Sequence, residues 1–161
     1  MNEITGKIHH SFDEFFNTLK SWKTTNQKLV FTNGCFDLVH RGHIDSLVKS
    51  AKFGDKLIIG LNTDHSVKLL KGETRPLVDE ESRAILMASL QMVDAVVLFD
   101  EETPYELIKA IQPDVLVKGN EYSIEEIAGH DVVLARGGKV ERIELTDGLS
   151  TSALIEKIKK L

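Results

Sequence analysis

Apolar positions along the chain change period repeatedly, and each change marks an element. Phe12, Phe15, Phe16, Leu19 and Trp22 recur three and four residues apart, the spacing of one helix face. Ser11 with Glu14 three residues later has the form of a capping box that opens this helix, and the polar TTNQ at 24–27 ends it. KLVFTN (28–33) reads as a short buried strand that stops at Gly34. Ile44, Leu47, Val48 and Ala51 share one face of a helix over 43–53, and KLIIGLN (56–62) is a second strand. Thr63 or Asp64 caps a short helix to about Leu70, followed by the polar loop KGETRP (71–76). Asp79 opens a helix with Ile85, Leu86, Ala88 and Leu90 among its apolar positions. DAVVLFD (94–100) is a third strand. Thr103-Pro104 has the form of an N-cap and first helical position, leading a helix to about Ile111. DVLVKGN (114–120) and KVERIELT (139–146) are the fourth and fifth strands, and a last helix begins near Ser150.

Strands alternating with helices predict an α/β fold, a Rossmann-like parallel five-stranded sheet with helices on both faces. Residues 1–27 are expected to form an amphipathic helix packed on a domain spanning 28–161, with a single domain overall. Such sheets bind ligands beyond the carboxyl ends of their strands, where strand order reverses. The segments expected there are GCFDLVHRGH, NTDHSVKLLKG, KGNEY and TDGLSTS. Glycines, histidines, lysines and hydroxyls gather in them, as a phosphate-bearing ligand requires.

Composition narrows the classes. The chain has 161 residues, 42% hydrophobic and 28% charged, an ordinary balance for one globular domain. A net charge of −5 argues against nonspecific nucleic-acid or anionic-membrane binding, both of which need a basic face. A few lysines can still make a local phosphate pocket. Cys35 is the single cysteine, which excludes an intrachain disulfide and a multi-cysteine zinc site. The N-terminus lacks a signal-peptide core and no apolar run approaches the roughly 18 residues of a membrane span, so the expectation is a cytoplasmic protein. The His9-His10 pair is given no role.

His40 and His43 admit three readings. H-x-x-H with Asp37 would make a metal clasp, but no third strong ligand is fixed by spacing, and no metal ligand is assigned. Either histidine can also be a satisfied core residue. In the third reading Gly42, at a helix start, lets an anion approach the free backbone N–H groups while the imidazoles add donors. The absence of G-x-G-x-x-G after the first strand disfavours a dinucleotide oxidoreductase.

TNGCFDLVHRGH (32–43) resembles the signature of the nucleotidyltransferase superfamily of cytidylyltransferase type, and TDGLSTSALIEKI resembles its second signature. The likeness runs from about Lys28 to the C-terminus. TNGCFD, LNTD, LKGETRP, LVKGNEY, EEIAGH and DGLSTS together are most similar to the adenylyltransferase domains of ADP-heptose synthases, here in stand-alone form. The resemblance implies transfer of AMP from ATP to a sugar 1-phosphate, heptose 1-phosphate, giving ADP-heptose and pyrophosphate by in-line displacement. A cytidylyltransferase acting on glycerol 3-phosphate or a similar alcohol phosphate is the alternative. A non-catalytic nucleotide-binding module is an alternative of another class.

The resemblance also implies roles. His40, His43 and Lys71 are the expected catalytic residues. Nucleotide contacts are expected from Asn33, Gly34, Cys35, Phe36, Asp37, Gly42, Arg83, Lys118, Gly119, Asn120, Ser150, Thr151 and Ser152 beside the two histidines. Lys118, Gly119 and Asn120 fall at base and ribose, and the three hydroxyls at the outer phosphates. Asp37, Lys68, Lys71 and Arg75 are expected at the acceptor. Asp37 reads as a residue that orients the loop or a histidine or assists a metal, and Cys35 as a packing residue, not a nucleophile. Magnesium is implied with ATP. A homodimer is expected, with no nucleic-acid or membrane partner.

Overall fold

The computed structural model describes residues 2–146 and 148–161, so Asp147 of the TDGLSTS segment lies outside the described residues. A short helix α1 (Asn2–Thr5) and a two-residue strand β1 (Ile8–His9) precede helix α2 (Phe12–Thr24). Then follow β2 (Leu29–Gly34), α3 (Arg41–Ala51), β3 (Lys56–Asn62), α4 (Asp64–Lys71), α5 (Glu80–Ala88), β4 (Ala95–Phe99) and α6 (Tyr105–Ile111). The chain continues with β5 (Val115–Gly119), a 3-10 turn at Ile124–Glu126, α7 (His130–Ala135), β6 (Lys139–Ile143) and α8 (Thr151–Ile158).

The strands form one parallel sheet in the order β1-β4-β3-β2-β5-β6. It has six strands where the sequence predicts five. The additional strand is β1, two residues on the β4 edge, too short to carry a period-2 signature. His9 of the unassigned histidine pair is buried there, its ring 5.0 Å from that of Phe15.

The inner strands β2 to β5 bury both faces, as parallel strands do. Along β2, Val30 joins a core with Leu47 of α3 and Ala84 and Met87 of α5. Its neighbours Leu29 and Phe31 join the opposite core, with Phe15 and Leu19 of α2, Ile108 and Ile111 of α6 and Val133 of α7. Ser11 caps α2 by accepting the Glu14 N–H, but the Glu14 carboxylate reaches the His10 N–H, one residue earlier than in the reciprocal box.

Two sequence expectations are corrected. The inward face of α5 is Arg83, Ala84, Met87 and Ala88, and Ile85 and Leu86 are 40% and 44% exposed. The N-cap of α6 is Pro104, not Thr103, and it makes no side-chain cap bond.

The register opens the site. β2 pairs with β3 through Gly34↔Leu61, whereas its pairing with β5 ends at Phe31↔Leu116. The two strands therefore diverge over Thr32, Asn33 and Gly34. Strand order reverses between β2 and β5, so the crevice lies at the switch point, beyond the carboxyl ends of the strands.

Candidate active site

A cleft of about 550 Å³ opens there, continuous with a smaller lobe of about 250 Å³. Asn33, Gly34, Cys35, Phe36, His43, Lys118, Glu121 and Tyr122 line both lobes, so they wall one divided site.

The histidines are built into the start of α3. His40 is its N-cap, and its Nδ1 accepts the Gly42 N–H at 3.1 Å. The Nδ1 of His43 accepts the His40 N–H at 3.2 Å. This is a capping box made from two imidazoles. A ring nitrogen that accepts a backbone N–H carries no proton when the ring is neutral, so both rings hold their proton on Nε2 and present it as a donor. Burial, and after it the neighbouring His40, lowers the His43 pKa to about 4. His43 is therefore a neutral donor at physiological pH. The rings lie 3.9 Å apart, and Phe36 meets His43 edge-on at 5.5 Å. His43 faces the cleft, while His40 stands beside it and is outside the lining.

Gly42 has a more local reason than close ligand approach. A Cβ there would stand 3.0 Å from the His40 ring and 3.3 Å from Leu149 Cβ. The glycine makes room for the capping imidazole.

Asp37 is 4% exposed, and its carboxylate is fully engaged. It accepts the Leu77 and Val78 N–H groups and pairs with the Arg75 guanidinium at 2.5 Å. This is the loop-orienting reading, with both carboxylate oxygens engaged. Arg75 lines the large lobe while tied to Asp37. Lys71 lines it too, whereas Lys68 is exposed on α4 and outside the lining.

Arg83 is not at the surface of the site but beneath it. It is fully buried and donates to the carbonyls of Val78, Cys35 and Asn62 and to the Asp64 carboxylate. It is outside the lining of both lobes, and its ion pair is with Asp64 and not with Glu80, the helix-face partner that spacing allows. It ties the ends of β2 and β3 to the start of α5. Burial raises the Cys35 pKa, which keeps the sulfur a thiol and fits a packing role.

Lys118 and Gly119 line the site, and Asn120 is exposed outside it. Ser150 caps α8 by accepting the Ala153 N–H, while Thr151 and Ser152 face the large lobe. Thr151 also donates to the Leu38 carbonyl, tying α8 to the histidine loop. The Asn33 Oδ1 is buried against the cleft without a partner, an acceptor left for a ligand.

Sequence reasoning expected the segments that hold Asn62 and Glu121 at the strand ends but gave these two residues no role, and it missed Glu102, Thr103, Glu126 and Ala128. Asn62 at the end of β3 was recoverable from its strand-end position. The others come from loops without a periodic signal.

A phosphate-ligand site of paired imidazoles, lysines and a helix start at the switch point of a parallel sheet defines an α/β nucleotide-binding domain. Residues 31–157 match the family model described as cytidylyltransferase-like, and the chain belongs to that family. It is 58% identical over 132 residues to the bifunctional protein HldE of Citrifermentans bemidjiense, covering 82% of this chain and 27% of that protein. The chain thus spans under a third of the length of that relative. A crystal structure of a lipopolysaccharide core biosynthesis protein from Thermoplasma volcanium superposes with a TM-score of 0.64 at 30% identity, covering 75% of this chain and 99% of that one. Pantoate-beta-alanine ligase from Francisella tularensis, at 15% identity and a TM-score of 0.64 over 96% of this chain and 79% of its own, shares the fold. Among the described residues no helix is long and apolar enough to cross a membrane.

Proposed function

We propose that the chain transfers AMP from ATP to heptose 1-phosphate, releasing pyrophosphate and giving ADP-heptose. The observation that carries this reading is the imidazole capping box, which holds His43 with its Nε2–H free on the wall of the switch-point cleft and His40 beside it. Donors held by the backbone suit a crowded phosphoryl group better than a metal clasp, because each Nδ1 accepts a backbone N–H and the proton on Nε2 leaves no lone pair for a metal. Identity to an HldE protein and likeness to a lipopolysaccharide core biosynthesis protein support the sugar acceptor.

In this reading an acceptor phosphate oxygen forms a bond to the α-phosphorus of ATP. The bond from that phosphorus to the bridging oxygen breaks, and its electron pair leaves with pyrophosphate. The protein works by positioning and charge neutralisation. His43 donates to the phosphates with His40 beside it, Lys71 neutralises them, and Thr151 and Ser152 offer hydroxyls at the start of α8. Asp37 holds Arg75 at the acceptor side of the cleft.

Magnesium belongs to the same proposal. Among the described residues no three histidine, cysteine or carboxylate side chains gather as a metal group. The ion would therefore be held mainly by the nucleotide's phosphates, adding charge neutralisation there. A homodimer is also part of the proposal, and sedimentation at two chains' mass supports it while one chain's mass contradicts it.

Acceptor labelled with ¹⁸O in its phosphate tests the displacement. The reading expects the label in ADP-heptose and none in pyrophosphate. Label in pyrophosphate, or no coupled product, contradicts it.

A further inference from the structure

Among the described residues, Lys118 is the one lysine or arginine on the wall shared by the two lobes. Strand period places its side chain on the same face as the buried Leu116, so its stem continues the core and its head reaches the cleft. Pairing of Lys118 with Arg142 and of Gly119 with Ile143 fixes that backbone against β6. Among the described residues the ammonium forms no ion pair. It sits 5.9 Å from the Tyr122 ring centroid, an apolar neighbour with only weak attraction for a cation. Burial lowers its pKa, Glu121 opposes this, and Lys71 adds to it. The Glu121 carboxylate lies folded over Gly119, where a Cβ would collide with it. A half-buried cation without an ion-pair partner among the described residues, open to a cleft that also holds Lys71 and His43, calls for a ligand anion.

We propose that the Lys118 ammonium bridges the acceptor phosphate and the α-phosphate of the nucleotide at the junction of the two lobes, acting on the reacting groups and not at base and ribose. This rests on the nucleotidyl-transfer reading. The junction is where an acceptor in one lobe and a nucleotide crossing from the other must meet. A charge there neutralises both phosphates as they approach and the charge that builds as the new P–O bond forms. The lysine forms no covalent bond, and the electron pair still leaves with pyrophosphate. Position, not charge alone, separates it from Lys71, which lines only the larger lobe.

Two measurements test this. In the wild-type protein, acetic anhydride labelling of Lys118 is followed by mass spectrometry, with exposed Lys52 as the internal control. ATP alone and heptose 1-phosphate alone should each slow labelling of Lys118 about tenfold while Lys52 is unchanged. In Lys118→Met, kcat at saturating concentrations of both substrates should fall about 100-fold, and Lys118→Arg should recover part of that loss. Protection by ATP only, together with a near-normal kcat in Lys118→Met, would return the residue to base and ribose and overturn the proposal. Protection by neither compound also overturns it. Protection by both in a wild-type protein that releases no pyrophosphate would uphold the bridging site and sink the proposed reaction instead.

Discussion

His43 carries two duties in one ring. Its Nδ1 closes the cap of α3, and its Nε2–H faces the cleft. His43→Asn should lower kcat about 100-fold, the loss expected for one transition-state donor, with the fold intact by circular dichroism. Near-normal turnover would remove His43 from the chemistry. Gly42→Ala should cost a similar factor by a different route, because its Cβ displaces the His40 ring, and sub-ångström misplacement at a reacting centre costs about that much. The pH dependence of stability has a definite sign. Unfolded histidine titrates near 6.5, and folded His43 is lowered to about 4. The folded state binds fewer protons between these values. The contribution is therefore complete above about pH 6.5 and is lost as pH falls through about 4. Urea midpoints of wild type should drop more steeply over that window than those of His43→Asn, and parallel curves would contradict the burial of the neutral ring.

The elements that hold the site were unevenly legible. The buried strands β2 to β5 stand out as apolar runs ended by glycine or polar residues, and they lie close to where the pattern puts them. The histidine and hydroxyl loops follow from strand-end position alone. What periodicity could not show is polar chemistry inside the fold. Arg83 breaks the apolar stripe of α5, so the pattern favours Ile85 and Leu86, which are exposed. The true inward face is organised around that buried guanidinium and its three carbonyl acceptors. Arg83→Met should destabilise the protein by about 3 kcal/mol or more, since it strands those carbonyls and the Asp64 charge. A loss under about 1 kcal/mol in denaturant melts would show that the brace is dispensable. The loop after α4 depends on Asp37 in the same way. Asp37→Asn replaces the Arg75 acceptor by a donor, so limited proteolysis near 71–78 should accelerate and acceptor KM should rise about tenfold. Unchanged cleavage and KM would mean that the loop holds itself.

Across the whole molecule, a parallel sheet places its diverging strand ends at the reversal of strand order, and all the candidate phosphate ligands descend from that geometry. Only long-range packing reveals the far wall of the cleft. Glu102, Thr103, Glu121 and Glu126 come from loops whose sequences carry turn chemistry but no sign that they converge. Under the proposed function, that wall is where acceptors would be told apart. The choice of nucleotide and acceptor is therefore the central point. It is tested most directly by pyrophosphate release in the presence of magnesium, with ATP or CTP offered beside heptose 1-phosphate, glycerol 3-phosphate or ethanolamine phosphate. The account predicts release with ATP and heptose 1-phosphate alone, and release only with CTP, or with no pair, would contradict it.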